Sequence, residues 1–307
     1  MQNKPDNTIL QTCKVAAKSE LLIFLQEKQV RESRSAVKSL LAHKQVKVNG
    51  QTVSQFDREL QAGDVVTIHK TSHARDPKKL KGLTIVYEDD YLLVIDKDAG
   101  MLSIATEREK RETAYSIVSD YLKRRNKDAR VFVLHRLDRE TSGLMMFAKA
   151  PDIQEIMQKN WDNLIRVRSY AAVVEGQPKP ADGTIESWLT EDKNYKMHSS
   201  ATDNGGQHSV TNYKTSHSIG KFTLLRLELD TGRKNQIRVH LQHIGHPVVG
   251  DKKYGSRIST IKRVALHAHE LHFSHPVTNE LLEFTSPIPA KMLMLVENRK
   301  MKMETNG

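Results

Sequence analysis

The stretch LHRLDRETSGLMMFAKA, residues 134–150, joins a charged, turn-forming run to an apolar one, and its reading decides how the rest of the chain is organised. VFVLHRLD before it and LMMFAKA within it have the composition of strands, and RETSG between them is a polar turn that closes on Gly143. Asp138 therefore falls at the end of a strand, between Arg136 and Arg139. Flanking cations favour the ionised carboxylate, which is the form a nucleophile or base must have. The same spacing also fits an ion pair that tightens the turn ahead of Gly143.

Working outward, TIVYEDDYLLVIDKDAG upstream is two apolar runs split by Glu88-Asp89-Asp90, and Thr113 to Arg125 has helical spacing at Ala114, Ile117, Val118 and Leu122. Downstream, SYAAVVEG, TNYKTSHSI and FTLLRLELDTG continue the strand pattern, and RKNQIRVHLQHIG is a helical interlude closed by Gly245. Strands that follow one another with short connections predict an α+β domain with mostly antiparallel pairing. Tyr170, in RVRSYAAVVEG, reads by itself as a half-buried strand residue.

Two further segments carry groups that could do chemistry. LDTGRKNQIRVHLQHIGHPVVGDKKYG, residues 229–255, gathers Arg233, Lys234, Arg238, His240, His243 and His246. Helical spacing sets Arg238 apart from Arg233, which suits one arginine for a carboxylate and others for phosphates, although a solvated basic helix has the same pattern. ALHAHELHFSHP contains His267, His269, His272 and His275 without an accompanying carboxylate cluster, so no metal is expected there. P-loop, dinucleotide-binding, HExxH and GxSxG motifs are all missing from the sequence.

The first third reads as a separate unit. Leu21, Leu22 and Leu25 predict one short helix, and Ser33 is placed to cap a second one with Val37, Leu40 and Leu41 inward. VKVNGQTV puts Asn49-Gly50 between alternating segments, a type I′ hairpin signal, and AGDVVTI adds a turn and a strand. The expected boundaries are a flexible arm over 1–18, the small α-α-β unit over 19–72, a linker over 73–82, the large domain over 83–298 and a polar tail over 299–307.

Composition narrows the partners. The 307 residues hold 48 Lys and Arg against 37 Asp and Glu, a formal charge of +11, which points to a polyanion. The charge is clustered over Lys28–Lys47, around Lys123–Arg139 and over Arg233–Arg263. Clusters that converge in a fold would make one phosphate-binding track. A single cysteine, Cys13, excludes an internal disulfide and agrees with a reducing compartment, and no apolar stretch is long enough to span a bilayer. The expected setting is cytoplasmic, with no membrane partner.

At these residues the chain resembles a known family. HRLDRETSGL is similar to the signature of the RluA-type pseudouridine synthases, and SYAAVVEG, TGRKNQIRVHLQHIGHPVVGDKKYG and ALHAHELHFSHP resemble three further motifs of that family in the same order. The small unit, through ESRSAVKSLLAHKQVKVNG and AGDVVTI, resembles the αL RNA-binding domain of a ribosomal protein. The resemblance implies the pseudouridine synthase fold, with a mixed, mostly antiparallel central sheet, and isomerisation of uridine to pseudouridine in RNA without cofactor or metal. It implies Asp138 as the essential carboxylate, Tyr170 packed on the base, and Arg238 as the partner of Asp138. Arg136, Arg139, Arg233 and Leu266 would bind the substrate, and Arg31, Arg34 and Lys38 would contact RNA from the small unit. The expected substrate is structured RNA, large-subunit ribosomal RNA first and tRNA second, rather than DNA, bound by a monomer. A non-catalytic RNA-binding or ribosome-assembly factor on the same fold is the rival reading. Asn235 stands where the family usually has a His, and Asp98 where it usually has a Pro.

Overall fold

The apolar run at the centre of the reading forms the strand Ser142–Ala148, and every one of its residues is buried. Successive side chains of a strand point to opposite faces, so a strand without polar alternation needs cover on both. Met145 and Phe147 pack into one cluster with Leu93, Ile95, Ala114 and Val118. Leu144 and Met146 pack into another with Leu92, Val94, Ile153 and Met157. The helix Ala114–Lys123 thus covers one face, where Thr113 caps it in a reciprocal box with Ser116, and the helix Pro151–Lys159 covers the other.

The computed structural model describes residues 9–30, 34–42, 45–69, 78–107, 109 and 111–297. The large sheet has twelve strands. Ser142–Ala148 lies between Leu92–Lys97, antiparallel, and Leu266–Ser274, parallel. Leu83–Glu88 and Lys78–Leu80 continue one side, and Ile165–Glu175, Phe222–Leu229, Gln207–Ile219, Asp182–Glu191 and Met197–Ser200 continue the other. Among the described strands only the pairing of Ser142 with His267 and of Gly143 with Ala268 is parallel, so the fold is α+β with a mixed, mostly antiparallel sheet. This seam requires Gly143: its φ is +111°, and a Cβ there would lie 2.2 Å from the Ala268 carbonyl oxygen.

The small unit builds its own sheet, in the order Ile9–Lys14, Val65–His69, Val46–Val48, Gln51–Thr52. The helices Leu21–Glu27 and Arg34–Ala42 bury Leu21, Leu22, Leu25, Val37, Leu40 and Leu41 against Val46, Val66 and Ile68. Asn49 (φ 52°) and Gly50 (φ 80°) take the left-handed conformations that a type I′ turn needs, and the Asn49 side chain holds Asp64 and the Val65 amide, each at 2.8 Å.

Two boundaries need correction. Residues 9–14 of the expected flexible arm are a strand, because ILQTCK pairs antiparallel with Val65–His69 and buries Cys13 at its inner edge. Residues 78–82 of the expected linker belong to the large sheet, where Lys78–Leu80 pairs with Leu83–Ile85 as a charged edge strand, a composition that blunts edge-to-edge association. Ser33, the expected cap, and the expected tail 299–307 lie outside the described residues.

Candidate active site

A cleft of about 1000 Å³ opens beside the seam and runs from the Asp138 turn past Tyr170 to the segment Leu229–Arg238. The turn is fixed from below by its backbone. The Ser103 hydroxyl donates to the Leu137 carbonyl at 2.6 Å and accepts from the Leu137 amide at 3.0 Å. The Thr141 amide donates to the Asp138 carbonyl at 3.1 Å, and the Gly100 amide to the Arg139 carbonyl at 2.8 Å. Lys97 is fully buried, and its ammonium donates to the carbonyls of Met101 (2.9 Å), Asp98 (3.1 Å) and Arg139 (3.4 Å). Burial pushes the Lys97 pKa down to about 8, against the pull of the Asp138 and Glu140 charges. The backbone is thereby held still while the Asp138 side chain, 27% exposed, remains open to the cleft.

Arg238 comes from the helix Gln236–His243, whose apolar face, Ile237 and Leu241, is buried in the core. Its guanidinium is shared. Nε and Nη2 donate to the two oxygens of Asp251 at 2.6 and 2.8 Å, and Nη1 donates to Asn235 Oδ1 at 3.0 Å and to Asp138 Oδ2 at 3.4 Å. Burial opposes its charge, but the bonds and charge of Asp251, then of Asp138, outweigh it and raise the pKa. Asn235 sits at the helix entrance in the left-handed region (φ 54°), and its amide also donates to the Tyr254 hydroxyl at 3.0 Å. The Tyr254 ring lies 4.9 Å below the guanidinium. Tyr170 is 8% exposed on the strand Ile165–Glu175 and lines the cleft, and burial raises its phenol pKa, with Arg168 opposing and Asp138 adding to the shift.

Residues 91–243 match the family model described as RNA pseudouridylate synthase. The Bacillus subtilis RNA pseudouridine synthase YhcT is 33% identical over 267 residues, 86% of this chain and 88% of the relative. This chain belongs to the RluA-type RNA pseudouridine synthases. The ribosomal large subunit pseudouridine synthase D of Vibrio cholerae is 32% identical over 85% of both chains. The solved structure of human RNA pseudouridylate synthase domain containing 4, 24% identical, covers 68% of this chain and 90% of its own with a TM-score of 0.56, and so shares the fold. The activity is the isomerisation of uridine to pseudouridine.

In this synthase the cleft brings together Asp138, Tyr170, Arg238, Leu266, Arg136, Arg139 and Arg233, which are far apart in sequence. Leu266 is 3% exposed and begins the strand Leu266–Ser274. Arg136 is exposed, Arg139 pairs with Glu109 at 2.6 Å, and Arg233 is exposed with Nε donating to the His208 carbonyl at 3.3 Å. Arg34 and Lys38 are exposed on the second helix of the small unit, with the Lys38 ammonium 4.7 Å from the Phe56 ring centroid, and Arg31 lies outside the described residues. The four late histidines have separate partners: His267 the Ser142 hydroxyl, His269 the Ser286 carbonyl, His272 Glu283, and His275 Asp89.

Two residues of the site escape sequence reasoning. Asp251 is 1% exposed and is the main partner of Arg238, yet in sequence it is one acid among Lys252, Lys253 and Arg257. Its signal was its isolation within a basic run. Lys97 precedes Asp98 in the KDAGM segment, and a lone lysine at a strand end has no signature that marks it as buried.

Proposed function

We propose that this synthase modifies uridines in large-subunit ribosomal RNA. The observation that carries the reading is the lengthwise match, over about 85% of each chain, to a relative named for that substrate. The +11 charge supports a long RNA partner. The small unit, resembling an αL RNA-binding domain, would fix affinity and placement through Arg31, Arg34 and Lys38 rather than take part in chemistry.

Within the cleft, the target uridine leaves its stack to reach Asp138, because a carboxylate inside a cleft cannot approach a base stacked in a helix. Arg136, Arg139 and Arg233 would neutralise the phosphates around it, and Leu266 would wall the base. The N-glycosidic bond breaks, the uracil turns, and a carbon–carbon bond forms at C5, with the C5 proton removed. Asp138 is the essential carboxylate, with Arg238 Nη1 donating to its Oδ2 at 3.4 Å. Tyr170 would pack on the base, and the proton lost from C5 is matched by the one gained at N1.

The test is pseudouridine mapping across total RNA from cells with and without the gene, paired with the purified chain acting on a large-subunit ribosomal RNA transcript and on tRNA. Sites lost from large-subunit ribosomal RNA in cells, and formed on that transcript in vitro, are expected. Loss confined to tRNA would refute the assignment.

A further inference from the structure

Beyond Tyr170, the cleft ends in residues that the isomerisation does not use. Trp161 opens the short helix Trp161–Leu164, and Arg168 stands two positions before Tyr170 on the following strand. A strand repeats every two residues, so Arg168 and Tyr170 share a face about 6.7 Å apart along the chain, and both line the cleft. The Arg168 guanidinium carbon is 5.5 Å from the Trp161 ring centroid, and Nη2 donates to the Thr231 carbonyl at 3.4 Å. The His135 ring is tilted against the same indole, with centroids 5.7 Å apart. His135 Nε2 accepts from the Met146 amide at 3.1 Å, which puts the ring proton on Nδ1. That N–H is shielded from solvent and has no hydrogen-bond partner among the described residues. Burial, and then the Arg168 charge, hold the His135 pKa down to about 3, so the ring is neutral.

We propose that His135, Trp161 and Arg168 form a second nucleobase subsite, which stacks the unpaired base next to the uridine being isomerised. Aromatic rings and guanidinium planes both stack nucleobases, whatever their identity. The acids of this cleft weigh against the simpler use of Arg168 as a phosphate contact. Asp162 and Asp230 also line the cleft, and their negative charge disfavours a phosphate while tolerating a flat, uncharged base. The subsite lies one strand repeat from Tyr170, the spacing expected of neighbouring nucleotides splayed along one wall. The inference rests on the family's activity and holds for any RNA substrate.

The chain has two tryptophans, so in the full-length Trp188→Phe protein Trp161 is the sole indole reporter. Asp138→Asn is added to stop turnover, and the protein is titrated with single-stranded RNA heptamers that carry a central uridine and, on either side, a normal or an abasic nucleotide. Quenching of Trp161 and a dissociation constant at least about tenfold weaker when one flanking base is removed are expected, the magnitude of a lost stacking contact. Arg168→Gln should erase that flank dependence, and Arg166→Gln, at an exposed, register-shifted position of the same strand that does not line the cleft, should retain it. In the wild-type chain, competition between base-bearing and abasic heptamers should give the same ratio in kcat/KM. Equal affinity for both heptamers would mean that only phosphate is bound and would overturn the proposal, as would the absence of any quench.

Discussion

Removing the charge of Asp251 tests whether the Arg238 guanidinium is aimed or merely nearby. In Asp251→Asn the side chain keeps its shape, but the bonds at 2.6 and 2.8 Å lose their carboxylate, and an NH₂ group now faces a donor. The Arg238 side chain is only 9% exposed, so water cannot replace the lost partner. Breaking a buried ion pair from one side costs about 3 to 5 kcal/mol. At about 2 to 4 °C per kcal/mol for a domain of this size, Tm falls by at least about 6 °C. Arg238→Met should cost a similar amount, because it strands the Asp251 carboxylate. The double variant removes both charges and should be more stable than Arg238→Met alone, as replacing a whole buried pair is often nearly neutral. In Asp251→Asn, Asp138 is the carboxylate left to Arg238, so the guanidinium turns toward it, and the single-turnover rate at saturating RNA drops about tenfold with RNA affinity retained. Strictly additive losses across the cycle, or an unchanged rate beside a lowered Tm, would refute the positioning argument.

Asp138→Asn should bind RNA as tightly as the parent and convert none of it in single turnover, and measurable product from a clean preparation would contradict the role given to the carboxylate. Replacing Arg34 and Lys38 together with Ala should flatten the slope of log K against log salt by about 1.5, and an unchanged slope would remove the small unit from the RNA contact. Burial holds His135, His240 and His267 down to about 3, 4 and 4, below the ordinary 6.5. The unfolded chain therefore takes up protons first. The stability contributed by these neutral rings is complete above pH 6.5 and is lost as pH falls toward 4, so denaturant midpoints should drop across that window and His240→Gln should reduce the slope. Gly143→Ala, with a Cβ 2.2 Å from the Ala268 carbonyl oxygen, should yield little folded protein, and a stable, soluble variant would mean that the seam can open.

Sequence was most legible where a local rule acts alone. Asn49-Gly50 makes its turn because few residue pairs accept positive φ twice, and Thr113 begins its helix because its hydroxyl caps the Ser116 amide. The cleft residues were legible through motif order, which spacing alone left open. What escaped depends on distant partners. ILQTCK becomes a strand only because Val65–His69 offers it an edge, and the charged Lys78–Leu80 joins the sheet only through Leu83–Ile85. Asp251 looks like an ordinary surface acid until the fold closes over it and leaves it facing Arg238.

The parallel seam has a consequence in time. Its hydrogen bond between Ser142 and His267 joins positions 125 residues apart, and the Asp138 turn stands directly beside it. Contacts of such long sequence separation are the slow ones to form, because the intervening chain must be ordered before the contact can offset its closure entropy. Lys78–Leu80, Leu83–Glu88 and Leu92–Lys97 on one side, and Gln207–Ile219 with Phe222–Leu229 on the other, can zip up locally, by hairpins, well before this junction closes. A refolding chain thus regains most of its secondary structure first and its catalytic competence last, which makes enzymatic activity a direct clock for the final docking of the two halves.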